Sequence, residues 1–307
     1  MDIVCSIDNN YVQHCCVMLS SFFENNSGEK HSIHLLTEGI DDVNKKLIEK
    51  LIVSYQGQFF YYVIDSDFLR SCPIKESDHL TIATYYRLFM TNFLPVSIDK
   101  VLYLDCDIVI NGSIKELWDT DLYGYALAAV EEMGCSAPDV YERLNYNESY
   151  GYFNAGVLLI NLEYWRTEHL VDTFISYITK NVTKLIAHDQ DVLNGLLHAK
   201  CLHVSCKWNV EEAFYHYSVM KRLRSYQDLK RILCQPVILH YTWKPKPWDL
   251  SCKHPFRINY FIYMWKTYGK KGSPQLSIWQ KIIALKDKYV FCLLLKLGIT
   301  GHRFYQL

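Results

Sequence analysis

An α/β fold, a mostly parallel mixed sheet flanked by helices, is predicted by three observations on this chain of 307 residues. Short apolar runs alternate with helically spaced apolar patterns through the first half, the order that lays helices over both faces of a parallel sheet. Half of the composition, 50%, is hydrophobic, enough for one large core. Neither an internal repeat nor a low-complexity linker interrupts the pattern, so one domain (residues 1–250) with a C-terminal extension (residues 251–307) is expected.

The elements follow in order. Ile3 to Ile7 reads as a strand, and Val12 to Phe23 as a helix with Val17, Leu19, Phe22 and Phe23 to bury. Ser32 to Thr37 is the second strand. A helix from Asp42 follows, with Val43, Leu47, Ile48, Leu51 and Ile52 at helical spacing. Gln58 to Ile64 is the third strand and Ile82 to Leu94 the third helix, before a strand that opens at Val101. Such a sheet gathers ligands at the carboxyl ends of its strands, where Asp8 and Asp105 stand. Ala126 to Val130 and Gly156 to Ile160 read as strands around a polar, tyrosine-rich insertion, Tyr141 to Tyr152, of a length that is more often functional than idle. Val237 to His240 is the last strand, and the turn Lys244-Pro245-Lys246-Pro247 ends the domain.

Composition excludes several classes. With 32 basic and 33 acidic residues the chain lacks the basic footprint of a nucleic-acid-binding protein. Eleven cysteines without paired spacing read as reduced, mostly buried thiols. The first residues lack the basic segment and long apolar run of a signal peptide or membrane span, so a cytoplasmic enzyme is expected. From Lys253 onward lysines and arginines face a single acid, Asp287, and are interleaved with Trp265, Trp279, Ile282, Ile283 and the run Tyr289 to Leu295. That composition suits a helix lying at the inner face of the cytoplasmic membrane; it suits equally a terminal helix packed on the domain with its lysines in water.

Asp-x-Asp occurs four times: Asp65/Asp67, Asp105/Asp107, Asp119/Asp121 and Asp189/Asp191. Asp65 also fits a helix N-cap, and Asp119/Asp121 sits in a polar turn after Leu117-Trp118. Only Asp105/Asp107 lies between two apolar blocks, Val101 to Leu104 and Ile108 to Ile110. The apolar strand from Val101 is expected to end in this pair, and alternation along it points both carboxylates one way and Cys106 the other. Paired carboxylates of this kind hold Mg²⁺ or Mn²⁺ together with phosphate oxygens.

Further segments complete a pattern. They are Asp8-Asn9-Asn10-Tyr11, Thr84-Tyr85-Tyr86-Arg87-Leu88, Leu117 to Leu122, Tyr152 to Leu162, Asp189 to Asn194, and His240-Tyr241 through Lys246-Pro247-Trp248. With Val101 to Asp107 they resemble, in family order, the retaining glycosyltransferases of family 8, which include bacterial lipopolysaccharide galactosyltransferases and glucosyltransferases and the glycogenins. The resemblance implies a GT-A type nucleotide-sugar-binding domain that moves galactose or glucose from a UDP-sugar to a glycan or glycolipid acceptor, as in surface polysaccharide synthesis. It makes Asp105, Asp107 and His240 the ligands of Mn²⁺, with Mg²⁺ the alternative. It places Asp8, Asn10 and Tyr11 on the uridine and Lys246 on the diphosphate. Arg87, Cys106, Asn154, Asp189 and Gln190 join Asp105 around the donor, and Glu131 falls on the acceptor side. Gln190 stands nearest the expected nucleophile position, with Asp189 the second candidate. An amide is a poor nucleophile, so same-face attack by the acceptor is the preferred picture, with a covalent intermediate on Asp189 left open beside it.

Two readings stay beside this one. Asp105-Cys106-Asp107-Ile108-Val109 also fits the opening signature of haloacid-dehalogenase-like phosphatases, whose later Gly-Asp motif is absent from the chain. A glycogenin-like activity would attach the hexose to one of the chain's own tyrosines. Trp243 departs from the family's pattern, standing where relatives carry a glycine that approaches the diphosphate, so its side chain must point away or reshape the loop.

Overall fold

A computed structural model of the chain describes residues 1–65, 82–132, 139–215, 226–249, 251–272 and 277–297. Its strands are β1 (Asp2–Ser6), β2 (Ser32–Thr37), β3 (Gln58–Val63), β4 (Lys100–Leu104), β5 (Ile108–Ile110), β6 (Leu127–Ala129), β7 (Val157–Asn161), β8 (Cys201–His203), β9 (Val210–Glu211) and β10 (Ile238–His240). The α-helices are α1 (Val12–Asn25), α2 (Asp42–Ser54), α3 (Lys115–Trp118), α4 (Val140–Leu144), α5 (Leu162–Thr167), α6 (Leu170–Asn181), α7 (His188–Leu197), α8 (Tyr226–Cys234), α9 (Arg257–Gly272) and α10 (Ile278–Lys296). Two compact units emerge. The first comprises Met1–Cys15, Gly28–Cys106 and Lys115–Ser205; the second comprises Cys16–Ser27, Asp107–Ile114 and the chain from Cys206.

The first unit holds a seven-stranded sheet in the order β3-β2-β1-β4-β7-β6-β8. β1 pairs in parallel with β2 and β4, and β2 with β3, while β7 runs antiparallel to β4 and β6. The sheet is therefore mixed with a parallel majority on one side, as predicted. Strands β2, β4 and β7 are buried along nearly their whole length, which suits strands covered on both faces. α1 is buried on every side through its middle, where Cys15 through Phe22 have no exposed surface, the mark of a core helix. Asp41 caps α2 by accepting from the Asn44 backbone N–H at 2.8 Å.

Two expectations change in detail. Ile82–Asn92 is a 3-10 helix and not an α-helix. Three residues per turn set Thr84 and Arg87 on one edge, and both reach Asp189. The strand from Val101 ends at Leu104: one further ladder bond, Asp105 N–H to the Gly156 carbonyl at 2.8 Å, precedes a turn at Cys106-Asp107. The reason is topological, because β4 belongs to the seven-stranded sheet and β5 to another, so the chain turns between them. The insertion from Tyr141 carries structure of its own. α4 stops at Asn145 in the left-handed region (φ 60°), and the Asn147 side chain caps a 3-10 turn over Glu148–Tyr150.

The second unit holds a three-stranded sheet in the order β5-β10-β9. β10 runs antiparallel to β5, with His240 opposite Ile108, and parallel to β9. His240 is thereby fixed one residue from the level of Asp107, whose carbonyl accepts from the Tyr241 N–H at 3.0 Å. The nine cysteines among the described residues are all free. No helix among the described residues is long and apolar enough to cross a membrane. Asp67 of the first Asp-x-Asp copy lies outside the described residues.

Candidate active site

Arg87 is the hub of the first unit's polar site. Its buried guanidinium holds Asp105 Oδ1 at 2.9 Å and Asp189 Oδ2 at 2.9 Å, donates to the Ala155 carbonyl, and lies 4.2 Å over the Tyr103 ring. Burial disfavours the charge on Arg87, but Asp105 and Asp189 more than offset it and raise its pKa. Asp105 Oδ1 also accepts from the Tyr103 hydroxyl at 3.1 Å. Asp189, 3% exposed, is pushed up by burial, with Arg87 and the Thr84 hydroxyl pulling the other way.

α7 delivers Asp189 and Gln190 from a constrained start. His188 has φ 51°, and just before it the N–H groups of Ile186 and Ala187 both donate to Asp191 Oδ2 at 2.7 Å. A non-glycine residue in the left-handed region costs conformational energy and persists where its surroundings enforce it. Here Asp191 enforces it, held by Arg143 at 2.6 Å and the Tyr152 hydroxyl at 2.9 Å. Gln190 Oε1 accepts from the Ala155 N–H at 2.9 Å, and its Nε2 donates to Glu132. Asn154 is buried beside it and accepts from the Gly156 N–H at 2.9 Å.

At the end of β1, Asp8 caps the 3-10 turn Asn9–Tyr11, its Oδ1 accepting from the N–H groups of Asn10 at 2.8 Å and Tyr11 at 3.2 Å. Asn10 is exposed, and Tyr11 sits edge-on to His14. Cys106 directs its thiol toward Cys5 and Cys15, which are themselves 3.8 Å apart, so any role it has at a donor belongs to its backbone. Glu131 bridges to Phe153 and lies over Gly151, where φ is +71° and an added Cβ would stand 3.2 Å from Glu131 Oε1.

In the second unit Asp107 faces Lys246 and His240. Lys246 Nζ lies 2.7 Å from Oδ2 and His240 Nε2 lies 3.1 Å from Oδ1. Burial alone would raise the Asp107 carboxyl; Lys246 and His240 outweigh it and hold the group well below the usual carboxylate range. Lys246 is no solvated turn residue, since it also donates to the carbonyls of Tyr241 at 2.5 Å and Thr242 at 3.0 Å. His240 Nδ1 faces Asn209 Oδ1 at 2.9 Å. An amide oxygen can only accept, so Nδ1 carries the proton and Nε2 is the ligand nitrogen. Trp243 keeps 38% of its surface exposed.

Ligand atoms of Asp105, Asp107 and His240 lie within 4.8 Å of one another, the one such cluster among the described residues. Two carboxylates and an oriented imidazole are a donor set for a divalent first-row cation. The other described copies of the motif do not converge. Asp119 pairs with Lys115 at 3.1 Å, Asp121 accepts from the Tyr123 N–H, and Asp189 and Asp191 serve separate arginines. Sequence reasoning missed Glu132, Asn209, Tyr103 and Thr84 as parts of the site. Thr84 and Tyr103 carried a signal, their places in the segments Thr84–Leu88 and Val101–Asp107.

Comparison with known proteins identifies the family and the fold. A general stress protein of Bacillus subtilis (strain 168) is 30% identical over 90% of this chain and 98% of its own length. A lipopolysaccharide 1,3-galactosyltransferase of Salmonella typhimurium is 30% identical over 89% of this chain and 78% of its own. Among solved structures, galactosyltransferase LgtC, crystallised with donor and acceptor sugar analogues, superposes with a TM-score of 0.79 at 26% identity. It covers 91% of this chain and 99% of its own. The architecture is thus the GT-A-like α/β fold of LgtC. The model of glycosyl transferase family 8 matches residues 2–252. A match of that extent makes this chain a member of glycosyl transferase family 8.

Proposed function

We propose that this glycosyltransferase moves galactose or glucose from a UDP-sugar to a glycan acceptor with retention of anomeric configuration, and that it requires Mn²⁺. The convergence of Asp105, Asp107 and His240 within 4.8 Å carries this reading. Mixed oxygen and imidazole ligands suit Mn²⁺ better than Mg²⁺. When bound there, the ion would neutralise the charge that builds on the diphosphate as UDP leaves.

The chain's own residues supply the rest. Asp8, Asn10 and Tyr11 hold the uridine at the end of β1, with Asp8 preorganised by its cap. Lys246 places a fixed positive charge next to the diphosphate. Arg87, Asn154, Asp189 and Gln190 hold the sugar hydroxyls. Asp189 is unsuited to nucleophilic attack, being committed to Arg87 and Thr84 in a buried setting. Attack by the acceptor hydroxyl on the face that UDP leaves follows, the departing phosphate taking the hydroxyl proton while the protein orients both.

Relatives named as lipopolysaccharide glucosyl- and galactosyltransferases support a glycolipid or surface polysaccharide acceptor, met at Glu131; a cytoplasmic location belongs to the same proposal. Residues 1–250 form the catalytic domain in this proposal, and 251–307 a peripheral membrane contact. α10 exposes Trp279, Ile283, Tyr289 and Leu293 while burying Ala284, Phe291 and Leu295, and it carries Lys281 and Lys286. A panel of UDP-sugars scored for slow donor hydrolysis, with Mn²⁺ and with chelator, tests the reaction. Turnover of none, or turnover untouched by chelator, ends the reading. Flotation with anionic liposomes of the intact chain against one ending before Lys253 tests the tail, and equal behaviour refutes it.

A further inference from the structure

Gln190 has both ends of its side-chain amide engaged. Oε1 accepts from the Ala155 N–H at 2.9 Å, and Nε2 donates to Glu132 Oε2. A backbone N–H can face only the amide oxygen and a carboxylate only the amide NH₂, so the two partners specify the same orientation of the group. Glu132 is itself anchored, its backbone N–H donating to the Tyr152 carbonyl at 2.7 Å. The Ala155 carbonyl accepts from Arg87, which binds Asp105 and Asp189. One continuous path in the first unit therefore runs Glu132, Gln190, Ala155, Arg87, Asp105.

We infer that Glu132 is a positioning residue for sugar transfer, locking Gln190 with its oxygen on the Ala155 edge and raising the negative charge on that oxygen. A charge-assisted bond from Nε2–H to a carboxylate is stronger than a neutral one and draws amide electrons toward Oε1. That oxygen is then suited to face the positive charge that grows at the anomeric carbon as the sugar–phosphate bond breaks. The bonding pair leaves with UDP and the acceptor oxygen forms the new bond. Its proton goes to the departing phosphate, and Glu132 neither gains nor loses one. The inference rests on the proposed role of Gln190 at the donor sugar.

Two measurements on the full chain test it. In ¹⁵N-edited spectra the Gln190 side-chain NH₂, assigned by its loss in Gln190→Ala, shows one downfield, slowly exchanging proton that vanishes in Glu132→Ala. In steady-state assays with the preferred UDP-sugar, Glu132→Ala lowers kcat by about 10- to 100-fold while donor KM moves by less than about threefold. Glu132→Gln falls between wild type and Glu132→Ala, and Glu132→Ala adds nothing in a Gln190→Ala background. An amide signal unchanged in Glu132→Ala overturns the lock, whatever the protein does to UDP-sugars. Unchanged kcat, additive losses, or a loss matched by a fall in thermal midpoint overturns the positioning role. A wild-type chain that turns over no UDP-sugar, with the amide signal responding as expected, refutes the transferase reading and leaves the lock supported.

Discussion

Asp105 and Asp107 are separated by one residue, as are Asp189 and Asp191, yet the first pair meets at one cluster and the second divides between two arginines. On α7 a step of two residues turns the direction of a side chain by about 200°. Asp189 therefore faces Arg87, and Asp191 faces Arg143 from the opposite side of the helix. Asp105 and Asp107 flank a turn between strands of different sheets, and there the same spacing brings both carboxylates to His240. Asp-x-Asp is thus a spacing, and the element beneath it decides whether it makes a cation site or a pair of structural clamps.

Substitutions can break that contrast, the largest effect falling on catalysis. Asp105→Ala is expected to lower donor turnover by about 10³-fold, since several kcal/mol of charge stabilisation on the leaving diphosphate is lost. Chelation of the wild-type protein should give a loss of similar size, read as UDP released from the UDP-sugar. Asp191→Asn should act on the fold, costing about 3 to 5 kcal/mol in denaturant unfolding because Arg143 is left without its buried partner. The fraction that folds should keep its donor affinity. A cluster that unfolds the chain, or a clamp that only slows turnover, would reverse the assignment.

The two pairs should also differ in their response to acid. Asp107 is held below its ordinary value of 3.8, so its contribution to stability is present above that pH and is lost as pH falls further. Asp189 is raised above 3.8, so its contribution is complete below that pH and declines as pH rises through its elevated folded value. In chelator, from about pH 6 to about pH 3, the stability advantage of wild type over Asp107→Asn should shrink by on the order of 1 kcal/mol, while that over Asp189→Asn should grow. Parallel curves would contradict the opposed shifts. The smallest effect belongs to Asp119 and Asp121, where asparagine at both should leave melting temperature and turnover where they were, their partners being a solvated lysine and a local N–H.

Much of this was readable in advance because it is local. The alternation that marks β1, α1, β2, α2 and β3 needs only neighbouring residues, and so do the caps at Asp41 and Asn147. Arg87, Asp189, Gln190 and Lys246 were legible through the family's segments, although the segments do not say that Arg87 bridges Asp105 and Asp189. Glu132 and Asn209 carried no sequence signal. Glu132 bonds to Gln190 from 58 positions away and Asn209 to His240 from 31, and nothing near either residue marks the contact.

By itself the sequence determined the α/β class, the apolar strands, the composition of the tail and four places where two aspartates share a spacing. Tertiary structure alone decided which pair acts together. Asp107 meets Lys246 across 139 positions, and it meets His240 because β10 pairs with β5. Periodicity records what a residue's neighbours along the chain need, and sheet pairing records what distant segments need of each other. A cation site built from both is complete only when the fold closes.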